Sequence, residues 1–305
     1  MKYAIGIDIG GTNTRVALIS EKYEIIKRVQ FSTDVYNPLN TMKGISETID
    51  QFHTNNIVGI GLSCPGPLDL VNGKVLTTPN LHEEWWYFEI SKTLKEYTGL
   101  DTYLENDANL ACLSEACVGA GKDYRYVSFL TVSTGIGAGF CIDKEIYQGA
   151  HGFAHEIANM PMWRYGPTHG DIYAGGIEAI SSGTAIVNRA RAAGLKVKHA
   201  GEVYELALKG DTFATMIFDD AKEYLANAIA SIYALLDPEV VVLGGSVALK
   251  IPGFIEEVEN KVKSKVFDVV KPYVNIVKTD LNEDSGLVGA ACLAFLKSKR
   301  NMEDQ

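Results

Sequence analysis

Residues 5–20 read Ile5-Gly6-Ile7-Asp8-Ile9-Gly10-Gly11-Thr12-Asn13-Thr14-Arg15-Val16-Ala17-Leu18-Ile19-Ser20. Two apolar runs, Tyr3–Ile9 and Val16–Ile19, flank a polar turn of Gly10, Gly11, Thr12, Asn13 and Thr14. That is the pattern of a β-hairpin with a longer loop. Asp8 stands out among its apolar neighbours. A carboxylate at the end of a buried strand is costly alone, so a cation or a set of N–H donors is expected beside it. Gly10 and Gly11 let the backbone approach a ligand closely, and Thr12 adds a hydroxyl. Turn amides of this kind form an anion-binding concavity, and an acid such as Asp8 can hold Mg²⁺ through water. An ordinary hairpin whose Asp caps its own turn fits the same letters. The loop is neither a Walker A motif, since it lacks Gly-Lys-Ser/Thr, nor a Rossmann fingerprint, since no helix follows it.

The layout recurs. Tyr126–Val132 is a strongly apolar strand, Ser133-Thr134-Gly135-Ile136-Gly137-Ala138-Gly139 is a second glycine-and-hydroxyl turn, and Phe140–Ile142 resumes a strand. Two such hairpins suggest two related halves, each offering amides to phosphate. Between them a strand, Asp101–Leu104, leads into Glu105-Asn106-Asp107-Ala108-Asn109-Leu110-Ala111-Cys112. Asn106 or Asp107 can cap the helix that begins there. Three polar residues in a row are more than a cap needs, and in a doubly wound sheet they project into the same cleft as the first turn. The strand Ile57–Leu62 runs into Ser63-Cys64-Pro65-Gly66-Pro67, which places backbone groups at that same edge.

Other elements follow from periodicity. Glu24–Phe31 is a third antiparallel strand, and Asn40–His53 is a helix with Met42, Ile45, Ile49 and Phe52 on one face. Ile90–Tyr97 is a helix closed by Gly99, and Ile177–Ala192 is another. Thr212–Leu236 is the clearest helix, with Phe213, Ile217, Ala221, Tyr224, Ala228, Ile232 and Leu235 in one stripe and Asp237-Pro238 ending it. Glu239–Leu243 reads as a buried parallel strand with Gly244-Gly245-Ser246 turning at its end. A helix through Phe254, Val258 and Val262, a strand at Val274–Val277 and a helix at Leu287–Leu296 complete the chain, and the polar tail Lys297–Gln305 is expected to fray. Trp85 and Trp86 read as core or lid packing. Residues 149–178 hold His151, His155, His169, Glu156, Glu178 and many glycines, the content of a substrate loop. The histidines have no thiolate partner for a metal.

At 305 residues the chain is long enough for two domains with their own cores. Its 28 basic and 38 acidic residues leave a net charge of −10. That argues against nucleic acid or an anionic membrane as the main partner, without forbidding a small phosphorylated ligand. The five cysteines are odd in number and irregular in spacing, with no CxxC, as in a reduced, cytoplasmic compartment. The N-terminus does not read as a signal peptide, and no apolar run reaches the roughly 18 residues of a membrane span.

In this order the pieces resemble the ROK family (repressors, open reading frames and sugar kinases) of the actin-like ATPase superfamily. Asp8-Ile9-Gly10-Gly11-Thr12 is similar to its first phosphate motif and residues 131–139 to its second. Glu105-Asn106-Asp107-Ala108-Asn109 is similar to the catalytic segment, and Pro65-Gly66-Pro67 and Pro79-Asn80-Leu81 to sugar-pocket loops. Gly244-Gly245 resembles the adenosine motif. The resemblance implies an α/β protein of two actin-like ATPase (ribonuclease H-like) domains flanking an active-site cleft. The smaller would be residues 1–108 with 287–305, and the larger 109–286. It implies an ATP-dependent, Mg²⁺-requiring kinase acting on the 6-hydroxyl of a hexose or N-acylhexosamine, with a homodimer as the assembly. Asp107 would be the general base. Asn106, Glu156 and Glu178 would bind the sugar, with Gly66 and Asn80 beside them. Asp8 would organise Mg²⁺ through water. Gly10, Gly11, Thr12, Thr134, Gly135 and Gly137 would cradle the phosphates, and Gly244 and Gly245 the adenosine.

One departure is plain. The family usually carries a zinc loop of one His and three Cys between the two glutamates, whereas residues 157–177 contain no cysteine. Asn159 stands where the zinc His would be and Gly176 where a Cys would be, so no structural zinc is expected. A sugar-responsive repressor of the family would carry an N-terminal helix-turn-helix region, whereas this chain opens on its first strand. A non-catalytic sugar-binding module would not need Asp107 or two phosphate turns. Among sugars the expectation is N-acetylmannosamine, then glucose, with fructose and allose behind. An axial acetamido group at C2 needs volume and an amide partner, which small Gly175 and Gly176 and the side chain of Asn159 could supply.

Overall fold

The hairpin forms as β1 (Tyr3–Ile9) and β2 (Asn13–Ser20), and β3 (Ile25–Ser32) joins β2 antiparallel. This is a computed structural model, and it describes residues 1–78, 81–281 and 284–303, with side chains to residue 301. Asn80, expected beside the sugar, lies outside the described residues. Helix α1 (Pro38–Asp50) starts where the side chain of Asn37 accepts the N–H of Leu39 at 3.1 Å, with Pro38 in the first turn, where its missing N–H costs nothing. β4 (Ile57–Ser63) lies parallel to β1. β5 (Leu68–Asp69) and β6 (Lys74–Val75) make a small ribbon. α2 (Ile90–Thr98) closes on Gly99 at φ 70°, a left-handed cap that suits glycine. β7 (Thr102–Glu105) lies parallel to β4, and α3 (Asp107–Cys117) follows it. The sheet order is β3-β2-β1-β4-β7.

The same plan is built again from β8 (Tyr126–Val132), β9 (Ile136–Ile142) and β10 (Glu145–Ile146). Helices α4 (Ile177–Ser181), α5 (Gly183–Ala192), α6 (Ala200–Leu208) and α7 (Thr212–Leu236) come next. β11 (Val240–Gly244), α8 (Ser246–Lys250), α9 (Phe254–Lys263) and β12 (Ile276–Lys278) complete it. The order β10-β9-β8-β11-β12 matches the first sheet strand for strand: a central strand, antiparallel partners on one side and parallel partners on the other. The last helix, α10 (Ser285–Glu303), packs on β1 and β4.

The chain divides into one unit of residues 1–119, 148–152 and 281–305 and another of 120–147 and 153–280. The expected division after residue 108 falls inside α3, whose packing against α10 keeps it in the first unit. Glycines allow that close approach. A Cβ at Gly61 would lie 1.7 Å from the Ala290 carbonyl oxygen, at Gly6 2.2 Å from that of Leu287, and at Gly289 1.9 Å from that of Leu110.

Four expectations from the sequence are corrected. The segment Ile177–Ala192 is two helices, because Ser182 is extended at φ −70°, ψ 157° and its hydroxyl caps α5 by accepting the Ala185 N–H at 3.1 Å. The second turn is only Ser133–Gly135; β9 begins at Ile136, opposite Val132, so Gly137 and Gly139 are strand residues. Phe213 and Leu235 are exposed, since the buried face of α7 runs instead through Ala214, Ile217, Phe218, Ala221, Leu225, Ile229 and Ile232. The tail does not fray at Lys297: α10 continues to Glu303. Helix α6 has no clear signal in the sequence, with Val203 its one fully buried residue. Among the described residues no helix is long and apolar enough to cross a membrane.

Candidate active site

In the first unit Asp8, Ser63 and Glu105 stand in register across β1, β4 and β7, at the carboxyl ends where parallel strands present their ligand-binding edge. The partner required by Asp8 comes from its own hairpin. Arg15, directly opposite on β2, donates to Asp8 Oδ2 from Nη2 at 2.5 Å and Nε at 3.1 Å. Asp8 also lies beside Gly286 in the first turn of α10, where a helix N-terminus favours negative charge. The turn ties itself with Gly10. Its N–H donates to the Asn13 carbonyl at 2.9 Å, and its own carbonyl accepts the Thr33 hydroxyl at 2.8 Å. The N–H groups of Gly11 and Thr12 have no hydrogen-bond partner among the described residues and are free for an anion. Gly66 is half-buried and precedes a cis peptide to Pro67.

Asn106 caps α3, its Oδ1 accepting the Asn109 N–H at 2.8 Å, and Asp107 is the first residue of that helix. Protein atoms crowd Asp107 while its side chain stays accessible to solvent, so it is desolvated without being sealed. That desolvation raises its pKa above the ordinary carboxylate value, and the Asp8 charge raises it further, against the Ala108 N–H that donates to Oδ1 at 2.8 Å. Cys64 is fully buried beside both acids, and burial pushes its thiol well up, away from reactivity.

In the second unit Thr134 is exposed at the tip of the β8–β9 turn. Gly135 faces Glu178 so closely that a Cβ would lie 2.6 Å from its Oε2. That same oxygen accepts the Ile136 N–H at 2.8 Å, so Glu178 is held by the turn itself. Gly244 ends β11, and Gly245 adopts φ 88°, ψ 156°, a conformation open essentially to glycine alone, with a Cβ there 2.4 Å from the Val132 carbonyl oxygen. Beside these glycines a cavity of about 310 Å³ is lined by Ser133, Thr134, Gly183, Thr184, Asn188 and Ser246. Gly183, Thr184 and Asn188 are absent from the expected set. Their signal was the run Ser181-Ser182-Gly183-Thr184, with the small, hydroxyl-rich composition of the phosphate turns, and its Gly183 N–H does donate to the Ser133 carbonyl at 2.7 Å.

The 153–178 segment is braced by its own backbone and by stacking. Met162 and Trp163 both donate N–H to the Gly175 carbonyl, at 2.8 and 3.2 Å, and Ile177 donates to Met160 at 3.1 Å. Asn159 Oδ1 accepts the Tyr173 N–H at 2.8 Å. The Trp163 ring stacks on Tyr224 of α7 with centroids 5.4 Å apart and planes 9° from parallel. Gly175 and Gly176 are buried, and a Cβ at Gly175 would lie 1.6 Å from the Trp163 carbonyl oxygen. The space beside Gly175 is therefore filled by the Trp163 main chain and that beside Gly176 by the Ile172 side chain, so neither glycine leaves the open volume expected of it. Glu156 is exposed. His155, in a left-handed conformation at φ 67°, lies between Phe140 and Tyr147, and burial lowers its pKa.

The residues fit a hard cation with a phosphate ligand at Asp8. Arg15 occupies Oδ2 and leaves Oδ1 for a water-mediated contact, with two free amides in the adjoining turn. Among the described residues no three His, Cys, Asp or Glu side chains group as a metal site.

Two α/β units of one strand order, each ending its central hairpin in a small glycine-and-hydroxyl turn, define an actin-like ATPase fold. Residues 4–297 match the ROK family, and the chain belongs to it. A glucokinase of Thermotoga maritima is 32% identical over 95% of this chain and 96% of its own. An N-acetylmannosamine kinase of Escherichia coli is 29% identical over 94% of this chain and 96% of its own. Among solved structures a ROK hexokinase from Thermus thermophilus superposes with a TM-score of 0.89 at 30% identity, covering 98% of this chain and 99% of that one.

Proposed function

We propose that this protein is an ATP-dependent sugar kinase that phosphorylates the 6-hydroxyl of a hexose. The observation that carries the reading is Asp107, a desolvated yet accessible carboxylate with a raised pKa at the carboxyl edge of the first sheet. A base tuned towards neutrality suits removal of a hydroxyl proton. The hydroxyl oxygen attacks the γ-phosphorus, its proton passes to Asp107, and the bond from phosphorus to the bridging oxygen of ADP breaks. Asn106, Glu156 and Glu178 hold the ring hydroxyls, with Gly66 beside them. Gly11 and Thr12 on one turn and Thr134 and Gly135 on the other receive phosphate oxygens, while Gly244 and Gly245 leave room for the adenosine. Mg²⁺, held through water by Asp8, neutralises phosphate charge when bound. Positioning and neutralisation are most of what phosphoryl transfer requires.

Glucose takes first place as substrate and N-acetylmannosamine second. The packing of Gly175 and Gly176 removes the argument for extra volume at C2, and the 32% identical relative is a glucokinase. The test is ADP release by the purified protein against a panel of hexoses and N-acylhexosamines. No sugar-dependent release above the ATPase background would refute the kinase reading. A kcat/KM for N-acetylmannosamine about tenfold above that for glucose, roughly 1.4 kcal/mol in transition-state binding, would reverse the order of substrates.

A further inference from the structure

Glu105 is fully buried yet carries a carboxylate. Three donors converge on it. The Asn106 N–H reaches Oε1 at 2.9 Å, the Asn109 side-chain amide reaches the same oxygen at 3.0 Å, and the Gln148 amide reaches Oε2 at 2.6 Å. The first two belong to the opening turn of α3: Asn106 is its cap, Asn109 is bonded to that cap, and Asp107 lies between them. The third comes from residues 148–152, a short segment that packs with the first unit although the chain on either side of it belongs to the second.

This cluster is expensive. A buried carboxylate loses its hydration, and Asn109 Oδ1 is buried with no hydrogen-bond partner among the described residues. Apolar side chains at the end of β7 would serve stability better. What the cluster does provide is direction. One carboxylate oxygen grips both the cap residue and the third residue of the turn that carries Asp107, and the other is fixed from outside the helix.

We propose that Glu105 is a positioning residue for Asp107, and that Gln148 acts through Glu105 to hold the catalytic turn in place. Glu105 itself touches no reacting atom. The inference rests on the kinase reading above.

The test is a cycle in the full chain: Gln148→Met, Glu105→Gln and the double variant, each measured for kcat and for the KM of ATP and of sugar. Misplacing a reacting group by a fraction of an ångström to 1 Å costs about ten- to a hundredfold. Gln148→Met should lower kcat by about tenfold while the KM for ATP stays within about twofold. The double variant should be no slower than Glu105→Gln alone, since Gln148 would have nothing left to act through. A merely structural role would lower the melting temperature without this split. If Gln148→Met kept kcat within about twofold of wild type, or if the two losses multiplied in the double variant, the proposal is overturned. Should Glu105→Gln fail to fold, Gln148→Met alone decides. A wild-type protein that phosphorylates no sugar fails the kinase reading and takes this inference with it; an active wild type with an indifferent Gln148 fails the inference alone.

Discussion

The two sheets share one strand order and carry opposite chemistry. At the carboxyl ends of β1, β4 and β7 the side chains in register are Asp8, Ser63 and Glu105. The matching strands of the second sheet, β8 and β11, bring together Thr131 and Gly244, opposite each other in the ladder. Across the hairpin, Asp8 faces Arg15 in the first unit, while Thr131 faces Gly137 in the second. One scaffold thus supports an acidic edge in the first sheet, where Glu105 is buried and Asp107 follows it, and in the second an edge of the small uncharged residues Thr131, Gly137 and Gly244. A kinase needs both. A base and a metal-ordering acid need charge, whereas a bulky anionic nucleotide needs amides and room.

The largest test of this contrast is Asp107→Asn. It should cut turnover by about 10²–10⁴-fold while nucleotide binding holds, and retention of more than about a third of the rate would remove Asp107 as the base. Its stability should move the other way. A carboxyl whose folded pKa is raised costs stability above that pKa, and the cost disappears as pH falls below the unfolded value. At neutral pH the Asn variant should therefore melt no lower than wild type, measurable by thermal denaturation.

Gly245→Ala probes the uncharged edge. Forcing a side chain into φ 88° beside the Val132 carbonyl costs on the order of 1–3 kcal/mol. The KM for ATP should rise by about tenfold with that for sugar little changed. An unaltered KM for ATP would argue that the Gly244-Gly245 turn lies away from the nucleotide.

Trp163→Ala should have a smaller effect. A stacked aromatic pair contributes about 0.5–1.5 kcal/mol beyond its buried area. Loosening the segment between Glu156 and Glu178 should raise the sugar KM about two- to tenfold and spare the ATP KM. If the ATP KM moved instead, the segment would belong to the nucleotide side.

The smallest effect is in the pH profile. Asp107 must be ionised to act, so the acid limb of kcat/KM should lie above the ordinary Asp value of about 3.9. Because the Asp8 charge is one cause of the raised pKa, Asp8→Asn should move the limb of the residual activity to lower pH. A limb that moved upward would place the titrating group elsewhere.

Much of this was legible because it depends on local order. Apolar alternation around Gly10 and Gly135 marked both hairpins, the isolation of Asp8 among isoleucines required a partner, and the excess polarity of 105–109 marked the turn that carries Asp107. These are matters of period, turn chemistry and desolvation, which neighbours in sequence suffice to set. What the sequence left open depends on residues far apart along the chain. Arg15 as the partner of Asp8 needed the hairpin register. The break at Ser182 needed the Ser133 carbonyl, which takes the Gly183 N–H at the start of α5. Gly175 and Gly176 read as open space, yet the Trp163 backbone fills the first and the Ile172 side chain the second. Gln148 carried no mark at all, since an amide on a surface turn and an amide holding a buried carboxylate have the same letter. Local sequence therefore determined which residue types stand in the turns to which the proposal assigns phosphoryl transfer. Tertiary packing decided which of them are desolvated, which are already engaged and which stay free to bind, because those properties depend on what lies within a few ångströms in space.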